Sequence, residues 1–241
     1  IASQTVTIQD STPPKISTMD DISLEAKSSS QNLVTLTIPE IYNEVGVMSI
    51  TNDAPEVFPL GETIVTWTAT DSSGNSSSQS YTITFVDNVI PEILISDETF
   101  EATIFGGTNI PLEFPEIIDI QNTELTNDAP EVFPLGETIV TWTATDSSGN
   151  SASATQIITV VDTTSPVLIA PENFTMEAES TLSKIENLGE FIAEDISGIT
   201  TIINDAPEVY PLGETIVTWT ATDDYGNTIS NIQTVTVLDT I

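Results

Sequence analysis

Strict alternation of apolar and polar residues is the main pattern in this chain. In Thr63–Asp71 (TIVTWTATD), Val65, Trp67 and Ala69 fall on one side of an extended strand, and Ile64, Thr66, Thr68 and Thr70 fall on the other. Alternation that is rich in β-branched residues predicts a strand with one buried face. The segment Gln79–Val86 alternates in the same way, and the turn residues SSGN lie between the two. The pattern therefore predicts a β-hairpin.

The sequence around this hairpin is repeated. The block NDAPEVFPLGETIVTWTATDSSGN occurs identically at Asn52–Asn75 and Asn127–Asn150, and with three changes at Asn204–Asn227. The copies start 75 and then 77 residues apart. Self-similarity at such a period indicates a tandem array. The period is long enough for each copy to belong to a small domain that folds on its own.

Each closing strand ends at an aspartate, and the first three of these aspartates begin a short, proline-containing link. We place domains at residues 10–86, 87–161 and 162–238, followed by the start of another linker at 239–241. Residues 1–9 match a closing strand, so we interpret them as the last strand of an upstream repeat or as a donor strand. The links are too short to be flexible, and proline stiffens them.

The first halves of the domains differ in sequence but keep the alternation. They predict strands at 22–26, 33–38 and 47–51, at 98–102 and 111–114, and at 174–178 and 188–192. No segment has a long helical periodicity with caps. Six or seven short strands in about 75 residues predict an all-β chain, a tandem array of immunoglobulin-like β-sandwich domains.

Each repeat has one tryptophan in the middle of the first strand of its predicted hairpin: Trp67, Trp142 and Trp219. Because each tryptophan shares its face with valine and alanine, we expect it to lie in the domain core. The alternative is an exposed tryptophan that stacks on carbohydrate.

Composition excludes several classes of function. The chain has 37 acidic and 3 basic residues, a net charge of −34, no histidine and no cysteine. Such a surface repels nucleic acid and anionic membranes and attracts cations. Without His or Cys there is no usual catalytic triad, thiol nucleophile or zinc site. Paired carboxylates could serve glycoside hydrolysis, but no apolar pocket that would raise one pKa is predicted. We therefore expect no enzyme activity.

The run NDAP…FPLG.TIVTWTATD.SGN, followed by a closing strand and D-x-x-x-P, resembles the hyalin repeat (HYR) family. The resemblance covers all three repeats and is strongest in their second halves. It implies extracellular immunoglobulin-like modules in tandem, with adhesive or structural roles and no catalysis. Many animal members carry a cysteine pair that this chain lacks. Together with the acidity, this departure favours a prokaryotic, in particular an archaeal, cell-surface protein.

Acidic residues should meet at one end of each domain. Strand directions place the linker aspartate, the loop between the second and third strands and the hairpin at the same end, which we call the N-terminal pole. The loops also contain Asn43, Glu44, Asp119, Glu194 and Asp224. The candidate metal ligands in the three domains are Asp10, Glu40 and Asp71; Asp87, Glu116 and Asp146; and Asp162, Asp195 and Asp223.

Carboxylates that converge without a lysine or arginine repel one another. At about 4 Å the repulsion is roughly 4 kcal/mol per pair at an effective dielectric constant near 20. Ca²⁺ takes 6–8 oxygen ligands in irregular geometries. We therefore expect Ca²⁺ to bind at the domain junctions and to stiffen the array. The alternative is that these are solvated loop carboxylates that cap their own turns.

Two N-glycosylation acceptor triplets occur, at Asn75 and Asn173. Such triplets also arise by chance. Asn173 is the better candidate, because Asn75 lies at a junction hairpin where a glycan would crowd the neighbouring domain.

The leading functional hypothesis is a structural surface protein in a surface layer, sheath, filament or adhesin stalk. Its partners would be neighbouring repeats or copies of itself. One alternative is an adhesin module that binds glycan or protein through the variable first-half loops, with Tyr225 as an exposed aromatic candidate. Another is a filament subunit completed by strand donation from residues 1–9.

Overall fold

The computed structural model describes residues 3–178 and 182–240, and every regular element within them is a β-strand. None of these residues forms a helix that could span a membrane. The chain divides into two compact units. One runs up to Ile93 and adds Ile117–Leu125 and Ala144–Ala152, whereas the other holds Leu94–Glu116, Thr126–Thr143 and the chain from Ser153 onwards. The N-terminal pole of repeat 2 therefore belongs to the first unit.

Repeat 1 contains one four-stranded and one two-stranded sheet. The larger sheet has the order β2-β6-β5-β4, in which β2 runs parallel to β6 and the other pairs are antiparallel. The smaller sheet pairs β1 with β3. The strands are β1 Lys15–Ile16, β2 Ile22–Glu25, β3 Ile41–Tyr42, β4 Val47–Asn52, β5 Gly61–Asp71 and β6 Ser76–Val86.

Repeat 2 has the same four-stranded sheet as repeat 1 and one more two-stranded pair. Its strands are β7 Glu92–Leu94, β8 Glu98–Glu101, β9 Gly107–Thr108, β10 Glu116–Ile118, β11 Thr123–Asn127, β12 Phe133–Pro134, β13 Gly136–Asp146 and β14 Ser151–Val161. The four-stranded sheet has the order β8-β14-β13-β11, and two pairs, β7–β10 and β9–β12, accompany it. Strand β8 runs parallel to β14.

Repeat 3 follows the same plan again. Its strands are β15 Val167–Ile169, β16 Phe174–Glu177, β17 Leu182–Ser183, β18 Ile192–Glu194, β19 Ile199–Asn204, β20 Tyr210–Pro211, β21 Gly213–Asp223 and β22 Thr228–Leu238. The four-stranded sheet has the order β16-β22-β21-β19, with β16 parallel to β22. The predicted tandem array of all-β sandwich domains is confirmed.

Three predicted first-half strands were wrong. Residues 33–38 and 111–114 form none, and 188–192 contributes only Ile192, the first residue of β18. In the first case the alternation itself is real, because Val34 and Leu36 pack against the core while Leu33 is exposed. These backbones lie outside the ladders, and the proline at position 111 has no N–H to donate.

The tryptophans lie in the cores, which confirms the core interpretation. Trp67, Trp142 and Trp219 are 4%, 1% and 6% exposed. In repeats 2 and 3 the indole N–H donates to a buried glutamine side chain, Gln156 at 3.1 Å and Gln233 at 3.3 Å. Each tryptophan therefore has both an apolar environment and, in these two repeats, a hydrogen-bond acceptor.

Residues 3–9 form no strand, and Val6 and Ile8 are 75% and 94% exposed. Residues 1 and 2 lie outside the described part of the chain. The interpretation of residues 1–9 as a closing or donor strand stays a prediction.

Replacing Trp142 by Ala should destabilise repeat 2 by about 3–5 kcal/mol, because it leaves a large cavity and removes the partner of Gln156. Denaturant unfolding followed by far-ultraviolet circular dichroism measures this loss. The control is Glu137→Gln, at an exposed position of β13, which should change stability by about 0.5 kcal/mol or less. Equal losses in the two variants would contradict the core assignment.

Candidate metal centre

The hairpin between β5 and β6 is held by one carboxylate. Asp71 Oδ1 accepts the backbone N–H groups of Ser73 at 2.8 Å and Asn75 at 2.9 Å. Gly74 makes the turn possible with a φ of 90°, a conformation that other residues rarely adopt. The Asn75 side-chain amide then donates to Asp71 Oδ2 at 2.9 Å and to the backbone carbonyl of Asp10 at 3.2 Å.

The same asparagine bridge recurs in the other two repeats. Asn150 donates to the carbonyl of Asp87 at 3.0 Å and to the hairpin carboxylate at 2.7 Å. Asn227 makes the same two bonds at 3.1 and 2.9 Å, to the carbonyl of Asp162 and to the hairpin carboxylate. Among the described residues only glycines adopt positive φ, so the backbones of these asparagines do not. Their side chains tie the linker to the hairpin.

Two sets of three aspartates come together at the N-terminal poles of repeats 2 and 3. In each set, one carboxylate oxygen per residue lies within 4.8 Å of the others. The linker and hairpin aspartates are buried, and the loop aspartate is half-buried. The repeat-2 triad is Asp87, Asp119 and Asp146, within the first unit, and the repeat-3 triad is Asp162, Asp195 and Asp223, within the second.

Each carboxylate of the repeat-3 triad is fixed by its own turn. Asp162 Oδ1 accepts the N–H and the hydroxyl of Thr164, at 3.1 and 2.7 Å. Asp195 Oδ1 accepts the N–H and the hydroxyl of Ser197, both at 2.8 Å. Asp223 Oδ1 accepts two N–H groups of the hairpin. The turns therefore hold the three side chains in place through one oxygen and leave the second for other partners.

In each of the two triads, one carboxylate oxygen is buried without a hydrogen-bond partner. The two oxygens are Oδ2 of Asp162, a residue that is 4% exposed, and Oδ2 of Asp119. A buried acceptor without a partner costs about 1–3 kcal/mol, and more when it is charged. In the repeat-2 triad, Gln121 Nε2 donates to Asp87 Oδ2 at 2.6 Å. The repeat-3 triad is thus the more open to a ligand.

No protein cation balances the triads. The chain has three basic residues, and within residues 3–178 and 182–240 the ion pair formed is Lys184–Glu186, at 3.8 Å on the surface. Oxygen-only donor sets of net charge −3 suit hard divalent cations, so the residues present fit Ca²⁺.

Hydrogen bonds keep several of these carboxyls ionised. Burial alone raises the pKa of Asp71 and Asp146, but the hydrogen bonds from the hairpin asparagine and the turn N–H groups lower it more, so the pKa lies below its usual value. Burial likewise raises the pKa of Asp162, and hydrogen bonds, including those from Thr164, bring it below the usual value. Ionised carboxylates are the form that binds metal.

The structure places the other predicted ligands as follows. Asp10 and Asp71 are linked through Asn75 at the pole of repeat 1. Glu40 is exposed and accepts the Tyr42 hydroxyl at 2.6 Å. Glu116 is exposed on β10, and Asp119, not Glu116, joins Asp87 and Asp146. Of the other loop acids, Asp224 accepts the hydroxyl of Thr200.

The two glycosylation candidates differ in their surroundings. Asn75 is half-buried, and its amide nitrogen is already used in the linker bridge. Asn173 is exposed, and its Oδ1 accepts the N–H of Thr234 at 2.6 Å. A glycan on Asn75 would break the bridge, so Asn173 stays the better predicted acceptor.

Repeat 1 carries a cavity of about 510 Å³ at its pole. Its lining includes Thr12, Lys15, Tyr42 and Glu44, and the Tyr42 side chain is 60% exposed. Tyr225, the aromatic residue that we singled out from the sequence, is 48% exposed.

Comparisons with known proteins agree with this architecture. The HYR domain family matches residues 9–85 and 86–160. Hyalin from Strongylocentrotus purpuratus is 35% identical over 272 residues, which cover 99% of this chain and 22% of that protein. Hyalin from Lytechinus variegatus is 34% identical over 208 residues, covering 79% of this chain and 39% of that protein. The chain thus spans well under half of either relative.

Cadherin structures resemble the chain weakly. Drosophila N-cadherin EC1-3 aligns with 92% of this chain and 98% of its own at 13% identity, with a TM-score of 0.38.

The hairpin carboxylate of Asp71 predicts a dependence of stability on pH. Its folded pKa lies below the unfolded value of about 3.9, so the unfolded chain takes up the proton first as the pH falls. The stability that the Asp71 carboxylate contributes is fully present above its unfolded pKa and is lost as the pH falls through its folded pKa. Asp71→Asn should therefore be less stable than the original chain at pH 7, and the difference should shrink below about pH 4.

Urea unfolding at several pH values in EDTA measures this difference. Glu62→Gln, at an exposed position of the same strand, is the control for a lost carboxylate. A gap between Asp71→Asn and the original chain that stays constant from pH 7 to pH 3 would rule out this role for Asp71.

Proposed function

This chain belongs to the HYR domain family, and from that premise we propose that it is a structural and adhesive protein whose repeats are stiffened by Ca²⁺ at the aspartate triads. HYR domains are extracellular, non-enzymatic modules, so the chain is an extracellular protein without catalytic function.

The observation that carries the calcium proposal is the unpartnered oxygen of Asp162. Asp162 is buried, one of its oxygens lies within 4.8 Å of one oxygen of each of the other two triad carboxylates, and no basic side chain among the described residues pairs with them. Repulsion between such groups disfavours the folded pole unless a cation is bound. Ca²⁺ tolerates an incomplete protein ligand set, because water supplies its remaining oxygens.

The origin of the ligands supports stiffening. Asp162 is in the linker ahead of repeat 3, Asp195 follows β18, and Asp223 ends β21. One ion bound to all three would fasten the linker to the domain that follows it. A linker that is held in this way bends less, which is what a load-bearing surface protein requires.

An assembly of such repeats fits a surface layer, sheath, filament or adhesin stalk. At a net charge of −34 the copies repel one another in dilute salt. Divalent cations reduce that repulsion, so contact between copies should also depend on Ca²⁺. Neighbouring repeats and other copies of the chain are the proposed partners.

We predict that titration of EDTA-treated protein with Ca²⁺ releases or absorbs heat and raises the melting temperature. For a dissociation constant of about 10⁻⁴ M, 10 mM Ca²⁺ stabilises the bound state by about 2.7 kcal/mol per site. Asp195→Asn should abolish binding at the repeat-3 triad. Glu116→Gln, which removes a nearby carboxylate outside the triads, should bind as the original chain does.

Small-angle X-ray scattering with and without Ca²⁺ tests the stiffening itself. We expect Ca²⁺ to narrow the distribution of the radius of gyration in the original chain. In Asp195→Asn the narrowing should be smaller. Absence of binding heat together with an unchanged melting temperature at millimolar Ca²⁺ would end the proposal.

A second candidate function is glycan binding at the pole of repeat 1. It is supported by the cavity beside the exposed Tyr42 ring. Sugars stack on such rings, and their hydroxyl groups donate hydrogen bonds to carboxylates such as Glu44. On a glycan array, Tyr42→Ala should lose any specific signal, whereas Tyr225→Ala should retain it. The reverse result would move the site to the hairpin of repeat 3, and no signal from the original chain would remove this candidate.

A further inference from the structure

We infer that Asn43 removes the cation site from repeat 1, so that the chain binds two ions instead of one per repeat. This inference rests on the proposed calcium function. It makes the residue after β3, β10 or β18 the one that decides whether a repeat binds the ion.

Strand register shows that Asn43 holds the position of a triad aspartate. Lys15 pairs with Tyr42, and Val167 pairs with Glu194. Lys15 and Val167 each lie five residues after their linker aspartate. The residues that follow Tyr42 and Glu194 are Asn43 and Asp195. In repeat 2, Asp119 likewise follows the last residue of β10.

The local turn confirms the equivalence. Asn43 Oδ1 accepts the N–H of the residue two positions on, Val45, at 3.0 Å. Asp119 and Asp195 make the same bond through Oδ1, at 2.6 and 2.8 Å. The three side chains are therefore fixed in the same way through one oxygen.

The second terminal atom is where the repeats differ. In Asp119 and Asp195 it is a carboxylate oxygen, which can bind a cation. In Asn43 it is the amide nitrogen, which is only a hydrogen-bond donor. Turning the amide over would present its oxygen to a cation but would give up the bond to Val45. Position 43 therefore offers no ligand at the pole without breaking its own turn.

The rest of the site is present in repeat 1. Asp10 Oδ1 accepts the N–H of Thr12 at 3.0 Å, as Asp162 does from Thr164. Asp71 makes the same hairpin bonds as its counterparts. Even so, the described residues hold no group of three acidic side chains at this pole. Two carboxylates remain where the other repeats have three, and neither Glu40 nor Glu44 completes the set.

Ion counting tests the inference. Equilibrium dialysis at about 5 mM Ca²⁺, above the weak affinities of extracellular modules, followed by metal analysis gives ions per chain. We expect two for the original chain, three for Asn43→Asp, and one for Asp195→Asn. Near-ultraviolet circular dichroism verifies that each variant is folded.

The control for the added charge is Asn52→Asp. Asn52 is exposed in the same repeat, and its Oδ1 also accepts the N–H two residues on, Ala54 at 3.1 Å, but it lies at the other end of β4. It should bind two ions. Three ions in the original chain, or two in folded Asn43→Asp, would overturn the inference and leave the calcium proposal standing. No ion in the original chain would overturn the calcium proposal and this inference with it.

Discussion

The bond from the hairpin asparagine to the linker carbonyl is the constraint on which each pole depends. Asn75, Asn150 and Asn227 each join a linker peptide to a hairpin carboxylate whose other oxygen accepts the turn N–H groups. This bond brings the linker aspartate beside the hairpin aspartate in every repeat. Without it the two carboxylates would move apart, because repulsion favours separation. The neutral asparagine amide therefore holds the linker and hairpin aspartates together in a strongly anionic site.

The division of labour within a repeat follows from this constraint. The nearly invariant second half supplies the long hairpin, its buried tryptophan and the asparagine bridge, and so builds the same scaffold three times. The variable first half supplies the third side chain at the pole, which is Asn43, Asp119 or Asp195. A single position in the variable half can thus change the chemistry of a pole while the scaffold stays the same.

The sequence predicted the structure correctly where the alternation of apolar and polar residues follows directly from side-chain burial. The alternation in Thr63–Asp71 and the tryptophan of each repeat predicted the hairpins and the cores correctly. In 33–38 the same alternation predicted a strand that does not form, because burial of Val34 and Leu36 does not require a hydrogen-bonded neighbour. The choice between Glu116 and Asp119 as a triad member depended on where β10 ends. The asparagine bridge joins residues more than 60 positions apart in the sequence. Local periodicity encodes neither the end of β10 nor this bridge.

The parallel pairing of β2 with β6 has a mechanical consequence. The first-half strand lies beside the closing strand of the same repeat, from Ile22 opposite Ile83 to Glu25 opposite Val86, and repeats 2 and 3 are built likewise. Tension applied along the polypeptide pulls these two strands past each other lengthwise. All the hydrogen bonds of the pair then carry the load together and do not open one after another. The strand arrangement of each module therefore resists stretching, a property suited to a tether between a cell and its surroundings.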